Sequence, residues 1–313
     1  MEFIKNKKVL LSAISLFIFS FIVYFPSLSN DFVWDDVALI ERSVSKFESG
    51  SISKLFIPDI KKNKNTTYYR PAIVLSYISD NYFWGKNPFG FHLTNNFIFS
   101  INVLLVFVLS FILLKGLKIS SYYLIAVISA LFFALHPVHV ESVSWISGRT
   151  DLLCGMFFSL ASIFHLSIMN RSYFIPISVL CFMLALFSKE TALAFPFVVF
   201  FIDIVRRSLN KEQLLTYIFY LFLILIYFNI RSFPIELTNI TKSFSSALGI
   251  SAYFFQDIEI INELLKLLSA NLYYITTLIA PFNLNAFIAE LPGGNFYVLG
   301  AVLYFLLLIF IFF

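Results

Sequence analysis

A chain of 313 residues in which 59% are hydrophobic, 41 are phenylalanine and only 13% are charged, with a mean hydropathy of +0.87, is not composed like a water-soluble globule, whose charged share is about 25%. A formal net charge of +4 marks no nucleic-acid surface, so the charges are informative through their positions rather than their sum. What remains is an all-α polytopic membrane protein.

Nine apolar runs are long enough, or nearly so, to cross a bilayer as helices: 9–26, 91–114, 121–136, 151–169, 173–188, 191–205, 214–233, 263–282 and 297–313. The first has a basic start but no small-residue cleavage site before Ser27, so it is expected to stay as a retained span. Between the first two spans lies the segment 27–90, too long for a hairpin and expected to have its own structure. Its stretches 37–47 and 52–60 mix apolar and charged positions as interfacial helices do, 61–67 is turn-like, and 71–83 is apolar on one face. Trp34, Tyr68, Tyr69, Tyr82 and Trp84 sit where an aromatic belt would lie, with sugar stacking as the other reading. Further on, Cys154 and Cys181 fall inside apolar runs, which suggests neither a disulfide nor a thiolate metal site. Residues 1–313 read as one transmembrane domain that breaks off inside an apolar run at Phe313, either a short protein or a truncated one.

Lys5, Lys7 and Lys8, then Lys115 and Lys118, Arg171, and Arg206, Arg207 and Lys211 occupy alternate connections, the bias of cytoplasmic loops. The N-terminus is therefore placed inside. Asp35, His136, His139, Glu141, Arg149, Asp151, Lys189 and Glu190 then share the opposite face.

Ionised groups near hydrocarbon are costly, so each of these is a candidate for function. Asp35 and Asp36 are adjacent acids just past the first span; the plain alternative is a helix cap or a solvated pair. Arg149 and Asp151 head the fourth span, either as an interfacial ion pair or with the arginine on a phosphate. His136, His139 and Glu141 can be imagined on a divalent metal, but there is no His-Glu-x-x-His helix and no third clear ligand, so no metal is assigned and contact with substrate is preferred. Lys189, with Glu190, is either a cation for a substrate phosphate or a snorkelling span end, and Arg70 either reaches the site or fixes the loop. His92, Asn95 and Asn96 begin a span where they can bond to the outer loop.

One series of strings goes further. FVWDD, YYRPAIVLSY, NPFGFHLTNNFIFS, FFALHPVHVESVSWISGRTDLL, FSKETALAFPFVVFFID and YYITTLIAPFNLNAF follow in fixed order over about residues 20–290. The series resembles the transmembrane and tetratricopeptide-repeat O-mannosyltransferases and their prokaryotic relatives, members of the class C glycosyltransferase superfamily; the repeats themselves are not in this chain. The resemblance implies a class C glycosyltransferase-like helical bundle with a structured first outer loop. It implies transfer of a sugar, mannose-like by preference, from a polyprenyl-phosphate carrier to a hydroxyl on a protein or glycan acceptor at the non-cytoplasmic face. Carried over by position, Asp35 is the catalytic base and Asp36 orients it or an acceptor group, while Arg149, which with Asp151 matches an Arg-and-acid pattern of the family, takes the donor phosphate; His136, His139, Glu141, Lys189 and Arg70 are placed around the substrates on the reading of the residues themselves. No cofactor is implied beyond the lipid-linked donor as substrate, and the partners are the bilayer, the donor and the acceptor, with no nucleic acid. A bacterial or archaeal plasma membrane is preferred and the endoplasmic reticulum is the alternative. A cavity lined by Asp35, Arg149 and Lys189 is expected. The rival functions are a lipid-linked glycan ligase or envelope modifier, and an ion- or proton-coupled transporter; against the latter, the charges gather at one interface and no pair of broken spans marks inverted repeats.

Overall fold

The computed structural model describes residues 6–48, 69–167 and 172–232, with single positions 278 and 281. Contacts divide the chain into two compact units, Met1–Ser232 and Phe233–Phe313, and every helix named below lies in the first. Among the described residues the protein is helical without a strand.

Helix α1 (Lys7–Val23) is capped by Asn6, whose side chain accepts from the Lys8 amide at 3.0 Å, and passes into a 3₁₀ turn at Phe25–Ser29 with Pro26 in its second position. Helices α2 (Asp36–Glu48) and α3 (Pro71–Trp84) belong to the first outer loop. α3 starts on a proline and stops at Gly85, whose φ of +60° is a conformation glycine adopts without strain. Helix α4 (Pro88–Gly116) follows with Asn87 capping the Phe89 amide, then α5 (Tyr122–Leu135), the short α6 (His139–Ser144) and a 3₁₀ turn at Ile146–Gly148. The turn runs straight into α7 (Arg149–Ser167). After α8 (Phe174–Leu186), a 3₁₀ turn at Glu190–Ala194 leads to α9 (Phe195–Arg206) and α10 (Lys211–Ser232).

Among the described residues, three stretches are long and apolar enough to cross a membrane: α4, Ile146–Ser167 and Lys211–Ile230. The apolar runs at 121–136 and 173–188 yield helices of only 14 and 13 residues, about 20 Å against a hydrocarbon layer of about 30 Å. The run at 9–26 yields 17 helical residues, and that at 191–205 divides because Pro196 sets a new helix start after the 3₁₀ turn. Of the expected outer-loop helices, α2 and α3 match 37–47 and 71–83; the stretch 52–60 and the two runs at 263–282 and 297–313 lie outside the described residues, single positions apart.

α4 is the central helix, packed by α1, α3, α5 and α7. Fully buried Ala126, Ala130 and Ala134 repeat every four residues along α5 and present a smooth face to the core it shares with α4. Where apolar surface gives no drive for association, polar side chains fix the register: Asn96 donates to the Phe21 carbonyl of α1 at 3.0 Å and Asn102 to the Leu152 carbonyl of α7 at 2.8 Å. A second core joins α8, α9 and α10 through the Phe182, Phe195 and Tyr220 rings, whose centroids lie 5.0–5.2 Å apart. A Cβ at Gly116 would lie 3.1 Å from the Arg206 guanidinium. The ends of α4 and α9, with Lys115, Arg206 and Arg207, therefore meet at one end of the unit, the end expected to be cytoplasmic.

Candidate functional site

The opposite end gathers the starts of α2, α3 and α7 and the junction between α8 and α9. The two adjacent acids divide there. Asp36 is fully buried: its Oδ1 accepts from the Ser147 amide at 3.0 Å and the Ser147 hydroxyl at 2.7 Å, and its Oδ2 accepts from the Val33 amide at 3.0 Å. The last bond reaches three residues back, as in a capping box, and closes the turn that carries Asp35. Asp35 is exposed, and among the described residues its carboxylate has no hydrogen-bond or ion-pair partner.

Arg149 departs from what its sequence position suggests. It is wholly buried, with Nε donating to Asn95 Oδ1 at 2.7 Å, Nη1 to Ser76 at 3.3 Å and Nη2 to the Phe91 carbonyl at 2.9 Å. Nη2 also lies 2.6 Å from Asp80 Oδ2, while the guanidinium sits over the Tyr77 and Phe91 rings at 5.0 and 5.8 Å. Four donor contacts are thus made inside the protein. The Arg149 to Asp151 pair is not formed, because Asp151 is paired with Lys189 and Arg149 with Asp80. A cavity walled by Arg149 is likewise not formed, since none of its surface is open.

Lys189 and Asp151 are 26% and 45% exposed at the side chain, and Arg70 pairs with Glu190 at 2.8 Å with both groups roughly a fifth exposed, at 23% and 21%. The Ala72 amide donates to the Phe187 carbonyl, which clips α3 to the end of α8 and brings Arg70 beside Glu190. Segment 147–151 carries the partner of Asp36 at one end and the partner of Lys189 at the other, an axial rise of about 6–8 Å. Its fit is close. A Cβ on Gly148 would lie 2.7 Å from Ser142 Cα and 2.8 Å from the Ser142 carbonyl, so only glycine lets this turn pass α6.

His136 is buried and its Nδ1 accepts from the Val138 amide at 3.2 Å. His139 packs on Phe133 and Phe99 with centroids 4.1 and 5.4 Å away, and the two imidazoles are 6.2 Å apart, edge to face. Glu141 is exposed, and among the described residues no three His, Cys, Asp or Glu side chains are grouped to hold a metal. Burial, aided by neighbouring His136, pushes the His139 pKa down to about 4. A base whose folded pKa is depressed contributes fully above its unfolded value near 6.5, and that contribution is lost as the pH falls from there toward 4. The loss is roughly 2 kcal/mol after allowance for partial exposure. The wild-type melting temperature in detergent should therefore fall more steeply between pH 6.5 and 4.5 than that of His139→Leu; parallel curves would contradict it.

A groove of about 340 Å³ runs along α2, lined by Phe32, Val37, Ile40 and Val44 with the Glu41–Lys86 pair at its rim. Phe32 and Val37 flank the Trp34–Asp36 turn.

Several residues escaped the sequence reading. Asp80 holds Arg149 and accepts from Thr94 at 2.8 Å; an acid inside the apolar stretch PAIVLSYISD was its signal. Toward the end expected to be cytoplasmic, His165 of α7 bonds Asp203 of α9 through Nε2 at 2.9 Å and Tyr220 of α10 through Nδ1 at 3.0 Å. Asp203 also accepts from Tyr217, Ser208 and Gln213, and Ser178 of α8 meets Tyr220 at 2.7 Å. This network ties four helices together. A lone His and a lone Asp in two separate apolar runs were its traces.

Among known proteins, the chain is 36% identical to human protein O-mannosyl-transferase TMTC4 over 149 residues, 43% of this chain and 20% of that protein. Human protein O-mannosyl-transferase TMTC3 is 31% identical over 140 residues, 43% of this chain and 14% of the relative. A Caenorhabditis elegans protein O-mannosyl-transferase is 29% identical over 196 residues, 61% of this chain and 26% of the relative. The matched part thus spans about a fifth of these relatives. No protein-family model matches the chain, and no solved structure does.

Proposed function

We propose that this protein is a membrane glycosyltransferase that moves a sugar, mannose-like by preference, from a polyprenyl-phosphate carrier to an acceptor hydroxyl at the non-cytoplasmic face. The observation that carries the reading is the division of labour between the paired acids. Asp36 is spent on Ser147 and Val33, and this holds out, on a closed turn, an Asp35 carboxylate with no partner among the described residues. The relatives named above, printed as protein O-mannosyl-transferases, support the reaction class and a protein as acceptor.

Asp35 takes the proton of the acceptor hydroxyl as its oxygen bonds to the anomeric carbon, and the bond from that carbon to the phosphate oxygen breaks with its electron pair leaving on the carrier phosphate. General-base help of this kind is worth about 100-fold to 10,000-fold. The leaving phosphate needs cations. With Arg149 committed inside the protein, that role passes to Lys189 and Arg70, both partly exposed, with Asp151 and Glu190 as their resting counter-ions. We place the acceptor in the groove along α2, whose lining residues Phe32 and Val37 bracket Asp35 in the sequence. Glu141 at the same end is open to either substrate, and His136 and His139 shape the turn before α7. The membrane we assign is a bacterial or archaeal plasma membrane, the endoplasmic reticulum being the alternative. Purified full-length protein in lipid nanodiscs, given radiolabelled polyprenyl-phosphate mannose or glucose and peptide or glycan acceptors, should move label from one donor to one acceptor class. No transfer from any polyprenyl-phosphate sugar would overturn the reading, and label passed only to a glycan would turn it into a glycan modifier.

A further inference from the structure

Trp34, which directly precedes Asp35, is built unlike an ordinary interfacial anchor. The residue is 72% exposed, and its backbone has φ of +53°, a left-handed conformation that bulky residues rarely adopt, that persists only where the surrounding structure over-determines it and that clusters at functional sites. The indole meets Trp145 edge to face, with centroids 5.2 Å apart and planes at 76°. Trp145 is itself held, its carbonyl accepting from Asn95 at 3.1 Å and its amide donating to the Glu141 carbonyl. Two residues further on, Ser147 holds Asp36. The same short segments, 33–36 and 145–147, therefore fix both the free carboxylate and the exposed ring next to it. A belt residue needs neither a strained backbone nor a braced neighbour, because burial in headgroups tolerates many orientations. A rigid indole face beside a carboxylate suits a ligand with one apolar face and hydroxyls around its edge, which is the description of a pyranose: ring C–H groups lie on the aromatic face while a hydroxyl reaches the acid.

We propose that Trp34, braced by Trp145, is the platform on which the hexopyranosyl group of the lipid-linked donor stacks beside Asp35. The proposal rests on the glycosyltransferase reading above and adds the contact that lets the protein tell a sugar-bearing carrier from a bare one.

The test is equilibrium binding of the full chain in nanodiscs to two probes, polyprenyl phosphate and polyprenyl-phosphate mannose. Wild type should bind the sugar-bearing lipid roughly threefold to tenfold more tightly than the bare one. Trp34→Ala should abolish that ratio while leaving affinity for bare polyprenyl phosphate unchanged, and Trp34→Phe should keep part of it. Trp34→Gly, which suits the positive φ, should lose the ratio without losing thermal stability, separating the ring's role from the fold's. A ratio retained in Trp34→Ala overturns the platform. So does an equal weakening of both lipids, which would make Trp34 a membrane anchor. Wild type that binds both lipids equally also overturns the platform but leaves the polyprenyl-phosphate reading standing, whereas wild type that binds neither overturns that reading and the platform with it.

Discussion

Arg149→Met is expected to destabilise the protein by about 3–5 kcal/mol, the usual cost of removing one partner from a buried ion pair. The change strands the Asp80 carboxylate, 5% exposed, and takes the donor away from Asn95 Oδ1 and the Phe91 carbonyl. Arg149→Lys should recover little, because an ammonium on a flexible stem cannot span Asn95, Ser76, Phe91 and Asp80 as the guanidinium fork does. Arg149→Met combined with Asp80→Leu should be more stable than Arg149→Met alone, since the stranded charge is gone. Thermal unfolding in detergent, followed by loss of the monodisperse peak on size exclusion, reads all three. An Arg149→Met protein that melts like wild type but no longer binds polyprenyl phosphate would return this arginine to the donor.

Asp35→Asn should reverse that pattern, with transfer down by two or more orders of magnitude, roughly 3 kcal/mol on the barrier, and the melting temperature unchanged. The amide keeps the size of the acid and loses only the capacity to take a proton, and among the described residues the exposed Asp35 carboxylate has no hydrogen-bond or ion-pair partner to lose. Donor affinity should survive. Asp36→Asn should lower stability and activity together, because one of three accepted hydrogen bonds would face an amide that cannot accept it. Should Asp35→Asn transfer at near-normal rates while Asp36→Asn transfers nothing, the two roles are exchanged; if both transfer normally, the proposed mechanism is wrong.

The all-helical membrane class, the position of most helices and the crowding of charge at one end follow from apolar run length and from alternating basic connections, both local properties. Helix lengths did not follow. A run such as 191–205 has the hydropathy of a span, yet Pro196 divides it, because backbone geometry acts independently of hydrophobicity. Pairing was the least accessible feature. Arg149 has Asp151 two residues away and takes Asp80 instead, since Arg149 points into the core at a helix start whereas Asp151 faces outward toward Lys189. No motif joins His165, Asp203, Tyr217 and Tyr220; the hydrogen-bonded pairs of this network are 14 to 55 residues apart and meet because α7, α9 and α10 converge.

The bond between Asp36 and Ser147 spans 111 residues, and that interval is also a delay. Chains lengthen at about 5–20 residues per second, so roughly 6–20 s pass between synthesis of the acid and synthesis of the serine that receives it. Through that interval the turn bearing Asp35 is closed only by its own Asp36–Val33 bond, and α4 and α5 are made before the second clamp exists. A chain arrested ahead of Ser147 would thus carry an acidic turn held on one side only, and the turn becomes fixed to the rest of the bundle late in synthesis, when segment 145–147 reaches it.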